Sequence, residues 1–345
     1  MMENKKTYDS IDVMKFISAI LIIHLHTMAF VNFNNIYLSF INKIFKLGTF
    51  AIVPVAFFMI TSSWLFFFKI KNVDDSMSYF KNYIKRLVIL YVVWSILYLP
   101  FTLKDICDGN ILKDTFILIR KFMLTGTYGH LWYMPALIYG VAIVYYLKKH
   151  ISLKKIILLS VGIYIFGLLG DSYYHILDNI PILQKIIDIY LKIFSETRMT
   201  MGMLCVALGL YFSDKYRINN KKYLYIIYVI SLGTLFLETK IVTKFSLAIT
   251  NERYIFKIVV SALVFLIVIN ANIEHRNINF HLRYCSTIMY FSHFIFIRIY
   301  QMLLPIQLLN PIILFILVTI STILLLIVFN KLSKFKRFKW IKYFY

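Results

Sequence analysis

The sequence has 345 residues, of which 60% are hydrophobic and only 16% are charged, and its mean hydropathy is +0.74. A water-soluble core cannot bury so much apolar surface, so the composition excludes an ordinary soluble protein and predicts a partnership with the lipid bilayer. The formal charge of +22 comes from short clusters of lysine and arginine between apolar runs, which is typical of basic loops at a membrane surface and predicts no nucleic-acid partner.

Ten apolar runs follow one another along the chain, most of them near the length of about 17 to 25 residues that crosses a bilayer. The first has no small-residue cleavage pattern after it and is longer than a signal-peptide core, so we expect a retained helix. The sixth and seventh are short, and we expect their ends to extend into the flanking loops. The ten runs are Ile11–Val31, Leu47–Ile70, Arg86–Leu103, Leu131–Leu147, Ile156–Gly170, Met199–Phe212, Leu224–Leu237, Tyr254–Ala271, Ser286–Leu304 and Pro311–Phe329.

The segments between these runs predict the orientation, because lysine and arginine concentrate in cytoplasmic loops. With the N terminus inside, the inner segments hold most of the basic residues although most of them are the shorter ones. The sequence therefore predicts an all-α, polytopic transmembrane bundle of about ten helices with both termini cytoplasmic, as one membrane domain over residues 1–345. Two longer outer segments, Lys104–His130 and Asp171–Arg198, have apolar spacings that suit interfacial helices.

Ionisable residues inside the runs are few, and each needs a partner, a water-filled cavity or a function. Lys15 and His26 in the first run are eleven residues apart, close to three helical turns, so both fall on one face about 16 Å apart along the axis. His24 points about 160° away from His26, so we expect only His26 to share the face of Lys15. A lysine that snorkels to the inner interface and a histidine in a buried polar contact would give the same spacing.

Four further residues stand at positions where a ligand or a neighbouring helix would meet them. His130 and Trp132, at the outer start of the fourth run, suit either a sugar face or an interfacial aromatic belt. Arg198, at the outer start of the sixth, suits either an anionic ligand or an ordinary loop position. His293 in the ninth run is expected to pair with a neighbouring helix.

Two sets of polar residues predict no site. The outer acids are expected to be solvated; they are Asp171, Glu196 and Glu252. The three cysteines are too widely separated for a metal-ligand motif or a disulfide framework, and no metal is predicted; they are Cys107, Cys205 and Cys285.

The first run, in IDVMKFISAILIIHLHT, resembles the first helix of the acyltransferase-3 family of membrane proteins, where an arginine or lysine, ten intervening residues and a histidine form a signature that Lys15 and His26 match. The resemblance continues in the family's order through PVAFFMITSSWL, KNYIKRL, HLWYMPALI, ETRMTMGMLCVALG and STIMYFSHFIF. The first helix and HLWYMPAL look closest to the membrane domain of serine racemases of the vancomycin-resistance type. No racemase activity is predicted, because the soluble racemase part is absent from this sequence.

The sequence departs from the family pattern at several places. Lys15 stands where arginine is more frequent, which keeps the charge but loses bidentate recognition of a phosphate or carboxylate. Ser62 and Ser63 stand where the family has Ser-Gly, and the basic motif around Lys85 and Arg86 is less complete. The role of Lys15 is therefore less well defined than that of His26.

The resemblance implies an enzyme of the plasma membrane, an O-acyltransferase that moves an acyl group, usually acetyl, from cytoplasmic acyl-CoA to a hydroxyl of an extracytoplasmic carbohydrate or lipid-linked glycan. On that basis Lys15, Lys85 and Arg86 would attract the CoA phosphates. His26 would be the general base or would carry the acyl group. The acceptor would meet the outer group; this consists of His130, Trp132 and Arg198.

Two other functions stay open at this point. One is a transporter or flippase for a lipid-linked sugar or an amino acid, which commonly shows inverted repeats and helices broken at matching positions. The sequence shows no such repeat. The other is a membrane subunit without catalysis that acts through partners, and a homo-oligomer is compatible with either.

Overall fold

A computed structural model describes residues 8–27, 36–194, 198–215, 218, 220–250, 252–271, 279–305 and 310–344. Within these ranges the chain is helical and contains no β-strand, which confirms the predicted all-α class. The α-helices are α1 (Asp9–Thr27), α2 (Ile36–Ile52), α3 (Pro54–Ile70), α4 (Ser76–Ile106), α5 (Ile111–Arg120), α6 (Tyr133–His150), α7 (Leu153–Leu169), α8 (Pro181–Phe194), α9 (Met199–Asp214), α10 (Lys221–Lys244), α11 (Ile255–Ile269), α12 (Asn279–Leu303) and α13 (Pro311–Leu332). Short π or 3-10 turns occupy Lys121–Thr125, Tyr174–Asn179 and Lys336–Phe344.

Every predicted apolar run coincides with a helix, but several boundaries differ: α4 begins ten residues and α12 seven residues before the predicted run. The second run, Leu47–Ile70, is divided between α2 and α3 at Val53, which has a φ of +50°. Pro54 then begins α3, because proline lacks a backbone N–H and suits a first helical turn. Helix α2 starts eleven residues before the predicted run. The predicted end of the first run, Val31, lies outside the described residues.

Five described helical stretches are long and apolar enough to cross a bilayer: Asp9–Thr27, Ser39–Ile70, Ser76–Ile106, Lys221–Lys244 and Pro311–Leu332. A sixth is added if Pro181–Phe194 and Met199–Asp214 form one broken span. The chain is therefore a membrane protein. The total of about ten spans and the cytoplasmic position of both termini stay predictions.

The chain forms two compact units, one made of residues 1–54 and 266–345 and the other of residues 55–265. The first contains α1, α2, α12 and α13, with α1 packed along α12 and α13. The second contains α3 to α10 and most of α11, with α9 packed against both α6 and α7. The prediction of one membrane domain over residues 1–345 stays a prediction.

Helices α1 and α12 of the first unit run parallel to each other. Near their starts, Arg283 donates hydrogen bonds to both carboxylate oxygens of Asp12, at 3.1 and 2.9 Å. Further along, the ring of His26, near the end of α1, stacks on the ring of His293 in the middle of α12. The predicted alternation of spans requires the same direction for the first and the ninth run, and the structure agrees with it.

In the second unit the helix directions also agree with the predicted alternation of spans. Its helices pack closely at small residues. Ser63 of α3 lies 3.4 Å from the carbonyl oxygen of Cys205 in α9, and Lys71 after α3 pairs with Asp214 at the end of α9, so these helices also run parallel. A methyl group added at Gly202 of α9 would overlap α6. Such close backbone approach is typical of helices that pack within membranes.

Candidate active site

Helix α1 carries Lys15 and His26 on one uninterrupted helix from Asp9 to Thr27. Continuous helix geometry puts the two on one face about 16 Å apart along the axis, as predicted. Lys15 is partly buried and His26 is exposed. Two carboxylates lie in the first turn of α1, where the positive end of the helix dipole stabilises them.

The imidazole of His26 packs on helix α12. Its ring centroid lies 5.3 Å from that of His293, with 24° between the planes, and 4.5 Å from that of Phe294. His293 is completely buried, and its Nδ1 lies 2.7 Å from the carbonyl oxygen of Tyr290 and 3.1 Å from that of Met289. Carbonyl oxygens only accept hydrogen bonds, so Nδ1 of His293 carries a proton. In the neutral ring Nε2 is then the basic nitrogen.

His24 faces a different set of neighbours. It is buried, its ring stacks on Phe45 of α2 at 4.7 Å, and it meets the edge of Phe315 of α13 at 6.1 Å. The two histidines of α1 thus point to different helices, as their spacing predicts. Of the two, His26 contacts α12, and its role as the functional histidine stays a prediction.

At the other end of the same helix pair lies the ion pair of Asp12 with Arg283. The Asp12 carboxylate is almost completely buried, whereas the guanidinium is about half exposed. Lys15 follows Asp12 by three residues and therefore lies on the adjacent part of the same face. Neither Asp12 nor Arg283 was predicted as a site residue, although an acid in a first helical turn is a usable signal.

Lys85 and Arg86 lie in the second unit, on the solvent-exposed part of α4. Neither forms an ion pair within the described ranges. Lys81 precedes Lys85 by four residues, so these two ammonium groups share one side of α4. Lys85 and Arg86 are accessible, and the binding of CoA phosphates by Lys15, Lys85 and Arg86 stays a prediction.

The structure brings Arg198 and Trp132 together. The guanidinium carbon lies 5.8 Å from the Trp132 ring centroid, Nη1 donates to the Gly129 carbonyl oxygen at 3.4 Å, and Nε and Nη2 donate to the two oxygens of Glu252 at 2.8 Å each. A cation–π contact and a bidentate ion pair therefore hold Arg198 in place. Burial raises the pKa of Glu252, but the hydrogen bonds and charge of Arg198 outweigh it, so the pKa lies below its usual value.

His130 lies close to this group but is buried. Its ring meets Tyr98 edge-on at 4.9 Å and Tyr128 at 6.1 Å. Gly126, with a φ of +87°, begins the turn that leads to His130, and a side chain there would overlap the backbone of Trp132. Trp132 is partly exposed, so it and Arg198 present more surface to a ligand than His130 does.

The expectation of solvated outer acids is wrong for Asp171. Its carboxylate is completely buried, accepts a hydrogen bond from Arg253 Nε at 2.7 Å and another from the Thr250 hydroxyl. Glu252 is about half exposed but bound by Arg198. Glu196 lies outside the described residues. Buried carboxylates need such partners, because an unpaired charge is expensive away from water.

A family model described as an acyltransferase domain matches residues 8–331. Two amino-acid racemases of Enterococcus faecalis are similar to the chain: one is 30% identical over 239 residues, covering 67% of this chain and 32% of the racemase, and the other is 28% identical over 280 residues, covering 77% and 38%. A serine/alanine racemase of Enterococcus gallinarum is 29% identical over 219 residues, covering 62% and 31%. The chain thus spans about a third of the length of these relatives. No solved structure matches it.

Proposed function

The chain belongs to the acyltransferase domain family, and from this membership we propose that it is a transmembrane O-acyltransferase of the plasma membrane. The reaction moves an acyl group, acetyl in the expected case, from cytoplasmic acyl-CoA to a hydroxyl of an extracytoplasmic carbohydrate or lipid-linked glycan. The similar racemases are named for a reaction on amino acids, but the match covers about a third of their length. Racemisation is therefore not part of the proposal.

The observation that carries the proposal is the imidazole pair of His26 and His293 on two parallel helices. An acyl transfer to a hydroxyl needs a base at the reacting oxygen, and imidazole is the side chain that exchanges protons most readily near neutral pH. His26 is the exposed member of the pair, and His293 is the buried member fixed to the backbone of α12. His26 is therefore the catalytic residue of the proposal, and His293 positions it.

In the proposed reaction His26 accepts a proton from the acceptor and returns it to CoA. His26 takes the proton of the acceptor hydroxyl while the hydroxyl oxygen forms a bond to the thioester carbonyl carbon. The carbon–sulfur bond then breaks, and the CoA thiolate takes the proton from the imidazolium. The products are the acylated acceptor and CoA with a free thiol.

An alternative order of the same bonds passes through an acyl-histidine. Here His26 attacks the thioester carbon, and CoA leaves as a thiolate that takes the imidazole proton. The acceptor hydroxyl then displaces the imidazole, which takes the hydroxyl proton. The two orders differ in one measurable way. Purified protein given acyl-CoA without an acceptor releases one equivalent of CoA only if His26 itself is acylated.

The donor and acceptor sides of the proposal rest on charged and aromatic side chains. Lys15, Lys85 and Arg86 would hold the CoA phosphates, because each is a cation on the predicted cytoplasmic side. Trp132 would stack on a sugar ring, with Arg198 held beside it by Glu252. His130 supports this group from the buried side, in contact with Tyr98.

The experiment that tests the function uses membranes that contain the full chain, labelled acetyl-CoA and surface glycan extracted afterwards. His26→Ala should lower the transfer of label by at least about 100-fold, the contribution expected of a general base. The matched control is His150→Ala, an exposed histidine at the end of α6, which should leave transfer unchanged.

Two results would contradict the proposal. One is a His26→Ala protein that inserts normally and transfers label at the original rate. The other is vesicle uptake or release of a lipid-linked sugar or an amino acid without any acyl transfer, which would favour a transporter.

A further inference from the structure

The unit formed by residues 1–54 and 266–345 contains a cavity of about 450 Å³ between α1, α12 and α13. Its volume falls within the range of about 300 to 1,000 Å³ that is usual for small-molecule sites. The wall is almost entirely apolar, with these residues on it: Phe16, Leu282, Cys285, Ile323, Leu326 and Ile327. An apolar chain is therefore the part of a ligand that this wall suits.

One end of the cavity is polar and cationic. Asn330, Lys331 and Lys334 line it at the point where α13 ends. Both lysines are exposed, and neither forms an ion pair with any residue that the structure describes. No Asp or Glu follows Glu274 in the sequence, so α13 and the residues after it bring no acid to the two lysines. The acids of this unit that the structure describes are Asp9 and Asp12 of α1, and Asp12 pairs with Arg283.

The apolar wall and the cationic rim follow one another along α13. From Asn330 back to Ile323 is seven residues, which is about 10 Å along the axis of α13. A ligand that matches both parts has an anionic group at one end and a hydrocarbon chain at the other. Two lysines near a membrane surface attract anionic head groups in the same way.

We propose that this cavity binds an anionic phospholipid, with its phosphate at Lys331 and Lys334 and one acyl chain between α1, α12 and α13. The pantetheine arm of CoA fits the wall less well, because it carries two amide groups that need hydrogen-bond partners when buried. The wall offers one side-chain amide, that of Asn330. The lipid site does not depend on the proposed acyl transfer, so either proposal can fail without the other.

The first test measures lipid selectivity of the full chain in nanodiscs or by native mass spectrometry. The probes are dioleoyl phosphatidylglycerol, which is anionic, and dioleoyl phosphatidylcholine, which is zwitterionic. Lys331→Gln with Lys334→Gln should weaken retention of the anionic lipid by about fivefold for each lysine and leave the zwitterionic lipid unaffected. The charge-matched control is Lys43→Gln with Lys46→Gln, two exposed lysines of α2 that do not line the cavity.

The second test uses the cavity's own thiol and needs no change at the lysines. In a Cys107→Ser, Cys205→Ala background, Cys285 is the remaining cysteine, and it lies in the cavity wall. Bound phosphatidylglycerol should slow the alkylation of Cys285 by N-ethylmaleimide, whereas phosphatidylcholine at the same concentration should slow it much less. Ile327→Trp in the same background fills the apolar wall and should abolish the protection.

Three results would overturn the lipid site. Equal protection of Cys285 by both lipids would remove the role of the lysines. Protection by palmitoyl-CoA but not by phosphatidylglycerol would make the acyl donor the occupant. Undiminished retention of phosphatidylglycerol in the double lysine variant would place its binding elsewhere.

Discussion

The hydrogen bond from His293 Nδ1 to the carbonyl oxygen of Tyr290 fixes both the position of the ring and its tautomer. It determines which nitrogen bears the proton and thus which nitrogen offers a lone pair. The same ring stacks on His26, so the buried histidine orients the exposed one. At this scale the candidate site is a pair and not a single histidine.

His293→Asn separates the two roles of this ring. An asparagine amide can still donate to the Tyr290 carbonyl, but it offers no basic nitrogen and no ring for His26 to stack on. We expect kcat to fall by on the order of 100-fold, as when a reacting group is displaced by about 1 Å, while KM for acyl-CoA stays unchanged. The measurement is acyl transfer by membranes with matched amounts of protein. Full activity of His293→Asn would show that the backbone hydrogen bond alone matters.

Glu252 gives a prediction about pH. Arg198 holds its pKa below the usual value of about 4.3, so the pair contributes stability that is fully present above that value and is lost as the pH falls through the lower pKa of the folded state. The pair is partly exposed, so the contribution is about 1 kcal/mol or less. Glu252→Gln should lower the unfolding temperature at pH 7 and should lower it less at pH 3.

Thermal unfolding of detergent-solubilised protein at the two pH values measures this difference. The control is Asp74→Asn, which removes an exposed acid between α3 and α4 that forms no ion pair within the described residues. An equal effect of Glu252→Gln at pH 7 and pH 3 would contradict an electrostatic role.

At the scale of elements, α9 depends on glycine where it meets α6. A Cβ on Gly202 would lie 2.9 Å from the carbonyl carbon of Ala136 and 3.0 Å from its Cβ, so any side chain forces the helices apart. Gly202→Val should therefore destabilise the protein by about 1 to 3 kcal/mol, the usual cost of overpacking. Gly162→Val in α7 is the matched control, because nothing lies within 4 Å of a Cβ there.

The readout is the fraction of protein that elutes as a single peak in size-exclusion chromatography after mild heating. Gly202→Val should lose most of this peak at a temperature where Gly162→Val keeps it. Similar profiles for the two variants would mean that α6 and α9 can separate without loss of the fold.

The helices could be predicted closely from the sequence, but the contacts between them could not. Ten apolar runs became helices because uninterrupted apolar stretches of this length must satisfy their own backbone hydrogen bonds in lipid. The start of helix α2 was missed, and Lys43 and Lys46 interrupt the apolar pattern there. A contact between residues far apart in the sequence produces no periodic pattern of residues. The partners of Asp12 and Glu252 were therefore found only in the structure.

The functional residues show the same division. Helical spacing predicted that Lys15 and His26 share a face, and this needed nothing beyond the geometry of α1. Burial reversed the expectation for Asp171, because solvation was inferred from polarity alone, without its partner Arg253. The roles of the predicted site residues in acyl transfer stay predictions.

At the scale of the whole molecule, the orientation in the membrane rests on the distribution of basic residues, and the cysteines give a direct test. Cys107 is exposed and lies in a predicted outer segment, whereas Cys205 is completely buried. A maleimide that cannot cross membranes should label Cys107 on intact cells. Ser76→Cys in a Cys107→Ser background places a thiol in a predicted inner segment, and it should be labelled only after the membrane is permeabilised. The opposite pattern would invert the predicted topology.

Two contacts hold the parallel helices α1 and α12 together: a carboxylate and a guanidinium pair near the helix starts, and two imidazoles stack where the end of α1 meets the middle of α12. Sliding one helix past the other by a single turn would move it about 5.4 Å and break both contacts at once. The Asp12–Arg283 ion pair therefore fixes the position of α1 along α12, and with it the position of the His26 ring. A substitution of Asp12 should therefore shift the His26 ring, which lies several helical turns away and does not contact Asp12.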